Sequence, residues 1–295
     1  MRRPLLIASL LVGALGLAAC AGVLNALEEA TDENTVLGKV ARGANRVRKS
    51  FQDLDPSEEH FIGRSVAAQI LSMPQYPLAD EPALLAYVER VGHGIVAQND
   101  DVLRPFLDYR FGVLATDEIN AFACPGGLIL VSKGLLVDTK SEDELAAVLA
   151  HEIAHVTLRH GVAAIQSSNL ASAFQYLGGA AAQATMSQED LAKLTDVFGD
   201  SIGDVVGTLV TSGYSRDAEV AADELGRRFL AGAGYDPQAL QRMLTNMAGH
   251  AGGSGGMFAT HPSPQDRIDA LGAPMAFAGS AVAARQQRFA AATGR

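Results

Sequence analysis

His151-Glu152-Ile153-Ala154-His155 places two imidazoles four residues apart, with a carboxylate between them. On a helix, residues four apart lie on one face, so both rings can grip one ion. Glu152 sits beside them, where its carboxylate can take a proton from a water on that ion. The stretch therefore specifies a helix, a metal and a hydrolytic reaction. Ser141-Glu142-Asp143-Glu144 reads as a capping box that starts this helix. It is expected to continue past Arg159 and His160 to about Ser167. A catalytic zinc takes three protein ligands and keeps one position for water, so a further ligand must come from elsewhere. The candidates lie in Ser215-Arg216-Asp217-Ala218-Glu219-Val220-Ala221-Ala222-Asp223. Glu219 and Asp223 also share a helix face. One can bind metal while the other accepts a hydrogen bond from the far nitrogen of a ligating histidine.

The flanking sequence supplies a mixed scaffold. Asp55-Pro56-Ser57-Glu58 has the pattern of a helix start, and that helix should run to Ser72, before Pro74. A second helix is expected from Glu81 to Ala97, with Leu84, Leu85, Val88, Val91 and Ile95 at helical spacing. Tyr109, Phe111 and Val113 alternate with Arg110, Gly112 and Leu114, which is the period of a strand. Asn120–Cys124 and Leu128–Val131 flank Pro125-Gly126-Gly127 and read as a hairpin. Residues 161–188 carry no formal charge, yet Gln166, Ser167, Asn169, Gln175 and Gln183 make them too polar for a membrane span. They read as a buried or membrane-facing helix pair, followed by helix over 189–210. The Gly-rich run at 249–256 leads into His261 and reads either as a plain linker or as a mobile lid.

Across the 295 residues, 48% are hydrophobic and 19% charged, a globular balance. A formal net charge of −10 leaves no electrostatic footprint for nucleic acid. Met1-Arg2-Arg3 precedes an apolar run from Leu5 to Leu17 that is too short to span a bilayer. The run ends in Leu17-Ala18-Ala19-Cys20, which resembles the lipobox of bacterial lipoproteins. That resemblance implies a signal peptide over 1–19, an acylated Cys20 and a charged tether over 20–54. Cys124 is then without a disulfide partner and reads as a small buried hydrophobe.

Taken together, the His-Glu-x-x-His helix, the Glu219/Asp223 helix and Asn120-Ala121-Phe122-Ala123-Cys124-Pro125-Gly126-Gly127 resemble one gluzincin family. This is the HtpX and CAAX-protease-like zinc metallopeptidases, in the soluble periplasmic lipoprotein branch of LoiP and BepA. Gly234-Tyr235-Asp236-Pro237 and Thr260-His261-Pro262 belong to the same pattern, which covers about residues 55–270. The resemblance implies an α+β, mostly helical, zincin-like (minigluzincin) domain with a small β-sheet and two metal-bearing helices. It spans 55–272, with a C-terminal helical tail over 273–295. One Zn2+ per chain is implied on His151, His155 and Glu219, with Glu152 as general base and Asp223 behind His151. His261 is similar to a histidine that swings onto the metal, and Arg267 is a candidate for binding a carboxylate or the oxyanion. An extended substrate would pair along Asn120, Ala121 and Phe122, with Gly126 and Gly127 at the turn. The implied function is an endopeptidase for misfolded or unassembled envelope proteins. Ala21, where inner-membrane lipoproteins carry aspartate, places its anchor in the outer membrane, facing the periplasm. The alternative is an assembly factor or chaperone for outer-membrane proteins with a latent, histidine-gated zinc site.

Overall fold

Asp55 opens the first helix as its sequence predicts. Its carboxylate accepts from the backbone N–H groups of Ser57 and Glu58, and the Glu58 carboxylate returns a 2.9 Å bond to Asp55 N. The computed structural model describes residues 54–165, 199–249, 257–261, 264–277, 279 and 281–295. Asp55–Arg295 forms one unit. Helix α1 (Pro56–Leu71) and α2 (Pro82–Ala97) lead into strand β1 (Arg110–Leu114). Next come β2 (Ala121–Cys124), a tight 3-10 turn at Pro125–Gly127, and β3 (Leu128–Ser132). The sheet order is β1-β3-β2, with β3 parallel to β1 and antiparallel to β2. The hairpin is thus formed as expected. β1 differs from its alternating pattern, because Phe111 to Leu114 are all buried. The strand is covered on both faces, so its side chains do not divide into core and solvent.

After α3 (Lys133–Asp138) comes α4 (Glu142–Thr157), which is buried at every residue from Glu142 to Val156. Ala146, Ala147, Ala150 and Ala154 keep its surface shallow, so neighbours approach from all sides. A short α5 (His160–Ala163) follows. Residues 199–207 are helical and end in a π-type turn at Thr208–Ser212. Then come α6 (Arg216–Gly232), α7 (Ala239–Gly249), α8 (Met257–Thr260), α9 (Pro264–Ala270) and α10 (Val282–Thr293). The core joins α2, the sheet, α4, α6, α7 and Phe289 of α10.

Two local expectations are corrected. Helix α4 does not run on to Ser167: it stops at Thr157, and Arg159 adopts a left-handed φ of 56° before the chain restarts as α5. A left-handed residue cannot continue a right-handed helix, so the turn redirects His160. At the other end, Ser141 Oγ caps Glu144 N at 3.2 Å, but the Glu144 carboxylate accepts from Lys140 N rather than Ser141 N. Ser167 and the rest of 166–188 lie outside the described residues, as do 189–198 and the Gly-rich run at 250–256. Among the described residues, no helix is long and apolar enough to cross a membrane.

Gly63 fixes how α1 sits. A Cβ there would lie 1.7 Å from the Pro125 carbonyl oxygen, a backbone atom that cannot yield, whereas one at Gly94 meets nothing within 4 Å. Gly63→Ala should lower stability by about 2 kcal/mol or more. Gly94→Ala, inside α2, should raise it by about 0.5–1 kcal/mol. Thermal unfolding followed by circular dichroism tests the pair, and equal melting temperatures would contradict this seating of α1.

Candidate metal centre

Four buried side chains from three segments converge: His151 and His155 on α4, Glu219 on α6, and His261 after α8. One donor atom from each lies within 4.8 Å of every other. The ring nitrogens His151 Nε2 and His155 Nε2 are 3.0 Å apart, and Glu219 oxygens lie 3.5 and 3.4 Å from them. Donors held about 2.0–2.2 Å from a tetrahedral ion stand roughly 3.3–3.6 Å from one another, so the set has close to the size, and the N/O chemistry, of a zinc site. Among the described residues, Glu152 Oε1 and Glu219 Oε2 are buried without a hydrogen-bond partner. Glu219 Oε2 has only longer ion-pair contacts, to His151 and to Arg267 Nη1 at 3.3 Å. Buried carboxylate oxygens left this way suit a cation or a polar reactant.

Around this cluster a second ring of contacts orients the imidazoles. Asp223 Oδ1 lies 2.9 Å from His151 Nδ1, which leaves Nε2 facing the cluster. Arg267 grips Asp223 with two bonds, Nε to Oδ2 at 2.8 Å and Nη2 to Oδ1 at 2.5 Å. His155 Nδ1 faces His160 Nδ1 at 2.9 Å. If Nε2 of His155 serves as a ligand, its Nδ1 carries the hydrogen and His160 accepts it. Tyr214 stacks on the His155 ring at 4.3 Å between centroids. His261 Nδ1 lies 2.8 Å from Glu219 Oε1.

Electrostatics follow the same geometry. Burial pushes the Glu152 carboxyl above the ordinary glutamate value. Burial would do the same to Glu219, but His261, His151 and His155 hold it far below the carboxylate range. Asp223 is also lowered, since Arg267 and His151 outweigh its burial. Burial and Arg267 act against a proton on His151, yet Asp223 and Glu219 raise it to about 9. Burial depresses His155 well below a normal imidazole and takes His160 down to about 4, which keeps His160 a neutral acceptor.

The expected residues fall in two groups. His151, Glu152, His155, Glu219, Asp223, His261 and Arg267 meet in one buried site. Arg267 does bind carboxylates, and they are the chain's own Asp223 and Glu219. Ala121 and Phe122 lie along β2 and Asn120 just before it; all three are buried, and β2 packs on α4 and has one strand partner among the described residues. Gly126 and Gly127 are buried against other parts of the chain: added Cβ atoms would meet His60 Cα at 2.6 Å and Pro105 Cγ at 2.5 Å. Three residues were missed in the sequence. His160 and Tyr214 had no motif to mark them. Gly226 was legible as two turns beyond Glu219 on the same face, and there its lack of a side chain lets α6 reach the His151 backbone.

A His-Glu-x-x-His helix opposed by a glutamate-bearing helix defines the gluzincin class of zinc metallopeptidases. Within that class the chain belongs to peptidase family M48, whose profile matches residues 82–275. It is 35% identical to a putative beta-barrel assembly-enhancing protease of Vibrio cholerae serotype O1 over 197 residues, 65% of this chain and 39% of that one. It is 31% identical to the mitochondrial metalloendopeptidase OMA1 of Schizosaccharomyces pombe over 230 residues, 75% of this chain and 62% of that one. Metalloprotease YcaL of Escherichia coli K12 is 30% identical over 162 residues, 53% of this chain and 58% of that one. The chain spans about two fifths of the length of the beta-barrel assembly-enhancing proteases that it matches.

Cys124, at the end of β2, is fully buried, and burial pushes its thiol up to about 12. In a Cys20→Ser protein, where Cys124 is the one remaining thiol, it should not react with a thiol-specific disulfide reagent in the native state at pH 8, and should react once on unfolding. Rapid labelling of the native chain would contradict its placement.

Proposed function

We propose that this chain is a zinc-dependent endopeptidase that hydrolyses peptide bonds in misfolded or unassembled cell-envelope proteins. The observation that carries this reading is the buried convergence of His151, His155 and Glu219 beside a Glu152 carboxylate with an unbonded oxygen. His151 Nε2, His155 Nε2 and Glu219 would hold one zinc ion. When bound, zinc supplies Lewis-acid polarisation of the scissile carbonyl and makes water more acidic. Glu152 is the general base: its free Oε1 takes the proton of the attacking water and passes it to the leaving nitrogen. Its raised pKa narrows the gap to that nitrogen and aids the return step. Asp223 holds the His151 ring through Nδ1, and Arg267 holds Asp223, so the arginine is a positioning residue here. β2, with Ala121 and Phe122, and Asn120 just before it, form the edge along which an extended chain would pair. Such pairing reads backbone conformation, which suits unfolded substrates. The resemblance to beta-barrel assembly-enhancing proteases supports envelope substrates, and the lipobox at Cys20 supports an outer-membrane anchor facing the periplasm.

A second reading is supported by His261. It is buried within the donor set, and a fourth protein ligand would take the place that water needs. In this reading the chain is an assembly factor or chaperone for outer-membrane proteins, with a latent, His261-gated zinc site.

Cleavage of unfolded casein separates the two. Wild type should cleave, a chelator should abolish cleavage, and Glu152→Gln should lower kcat about a thousandfold while retaining metal. His151→Ala should lose both metal and activity. Cleavage undiminished by Glu152→Gln would sink the peptidase reading; an inert wild type that His261→Ala activates would favour the gated one. Asp223→Asn should weaken zinc affinity about 10–100-fold in a competition titration with a chromogenic chelator. The base must be ionised, so kcat/KM should fall as pH drops through the raised Glu152 pKa. That acid limb should lie above the ordinary carboxylate range, and full activity at pH 4.5 would refute the assignment.

A further inference from the structure

Beside α1 lies an apolar patch that the metal centre does not use. Phe61 on α1, and Phe106 and Leu107 in the turn before β1, are 58%, 54% and 50% exposed. The His60 ring lies between the two phenylalanines, 5.9 Å from Phe61 and 6.1 Å from Phe106 by ring centroid. Single exposed apolar side chains need no explanation, but a cluster built on a fixed backbone does. The turn is held by Asp108 N donating to Pro105 O at 3.2 Å, by a φ of +62° at Asp108, and by its carboxylate on Tyr109 N at 2.8 Å.

Both halves of the patch are seated on the turn Pro125-Gly126-Gly127. Gly126 admits the His60 backbone and Gly127 admits Pro105, where any side chain would collide. Glu59 tightens the seat: one oxygen accepts from Gly126 N at 3.3 Å and the other pairs with Arg159 at 2.8 Å. Exposed Arg64 and Arg104 adjoin the patch, Arg104 with one nitrogen on the Asn99 carbonyl at 3.1 Å, while the adjoining acids Glu58, Glu59 and Asp108 are engaged with the backbone or with Arg159.

We propose that Phe61, Phe106 and Leu107 form a membrane-docking surface that rests on the bilayer to which the chain is tethered. The identity of that bilayer rests on the reading of Cys20 as acylated. The occupant is argued from the path of the chain. Residues 20–54 join the described unit at Asp55, and Phe61 lies less than two turns along the helix that starts there, roughly 9 Å. The tether is thus contiguous in sequence with the helix that displays the patch. Phenylalanine and leucine partition into the acyl boundary, while neighbouring arginines reach the headgroups. With a formal charge of −10, apolar insertion rather than charge attraction has to supply the contact.

The chain contains no Trp, so single substitutions report from one place each. Phe61→Trp, Phe106→Trp and, on α3, the 63% exposed Val137→Trp are placed in the full mature chain with Cys20→Ser. With phosphatidylethanolamine–phosphatidylglycerol vesicles, emission from positions 61 and 106 should shift to the blue and be quenched by brominated acyl chains. Position 137 should not respond. Combined Phe61→Ser, Phe106→Ser and Leu107→Ser should weaken vesicle sedimentation roughly tenfold or more, with little dependence on salt. No shift at 61 and 106, or an equal shift at 137, would overturn the proposal. So would a shift with unfolded casein but not vesicles, which would make the patch a peptide-docking surface. Acylation is read separately from the mass of the N-terminal fragment: an unmodified Cys20 removes the anchor and leaves the vesicle result intact.

Discussion

A helix buried on every side must have each of its polar groups answered by a neighbour. Helix α4 carries six ionisable residues through the interior, and leaving a buried charge unpaired costs several kcal/mol. At its N-terminus, Glu142 accepts from the hydroxyls of Tyr87 and Tyr235, each at 3.2 Å, and pairs with Arg288. Asp143 takes Arg285 at 2.9 Å and the backbone of Asp236 at 2.9 Å. Glu144 takes Lys140 N and Asn246. These acids also face the positive end of the helix dipole. Two turns further on, the polar groups are His151, Glu152 and His155, and they meet Glu219, Asp223 and His261 in the candidate metal centre. Structural and chemical parts of α4 are satisfied by one rule.

That rule orders the site in layers. Glu219 faces the three imidazoles, Asp223 faces the back of His151, and Arg267 spans both carboxylates. Counting Asp223, Glu219 and Arg267, one net negative charge remains beside the histidines, which favours a cation over an anion there. On the opposite side His160 and Tyr214 flank His155. The His151 and His155 rings are thereby held from behind as well as in front, His151 by Asp223 from a helix distant in sequence and His155 by the nearby His160 and the distant Tyr214.

Which parts were legible follows from range. The start of α1, the hairpin around Pro125-Gly126-Gly127 and the two acid- and histidine-bearing faces depend on spacings of two to four residues, and those survive in a linear sequence. The resemblance carried the rest of the site, including His261 and Arg267. What could not be read depends on packing. Arginine has no preference for the left-handed region, so nothing at Arg159 announced the break after α4. His160 matters only because that break turns it toward His155. Glu144 forgoes its reciprocal cap because Lys140 N and Asn246 compete for it. β1 looks one-sided in sequence, and covering on both faces erases its alternation. Gly126 and Gly127 carry a motif's signature, while their contacts are those of a packing seam.

The docking of α10 on the start of α4 also bears on the order of folding. Arg285 and Arg288 reach acids that lie 142 and 146 positions earlier in the chain. Contacts of such separation form late, after the entropy of a long loop has been overcome. Until they form, Glu142 and Asp143 favour water and resist burial of the helix that carries His151 and His155. A nascent chain therefore stays without a sealed candidate metal centre until its distal helix has been made, a delay set by topology alone.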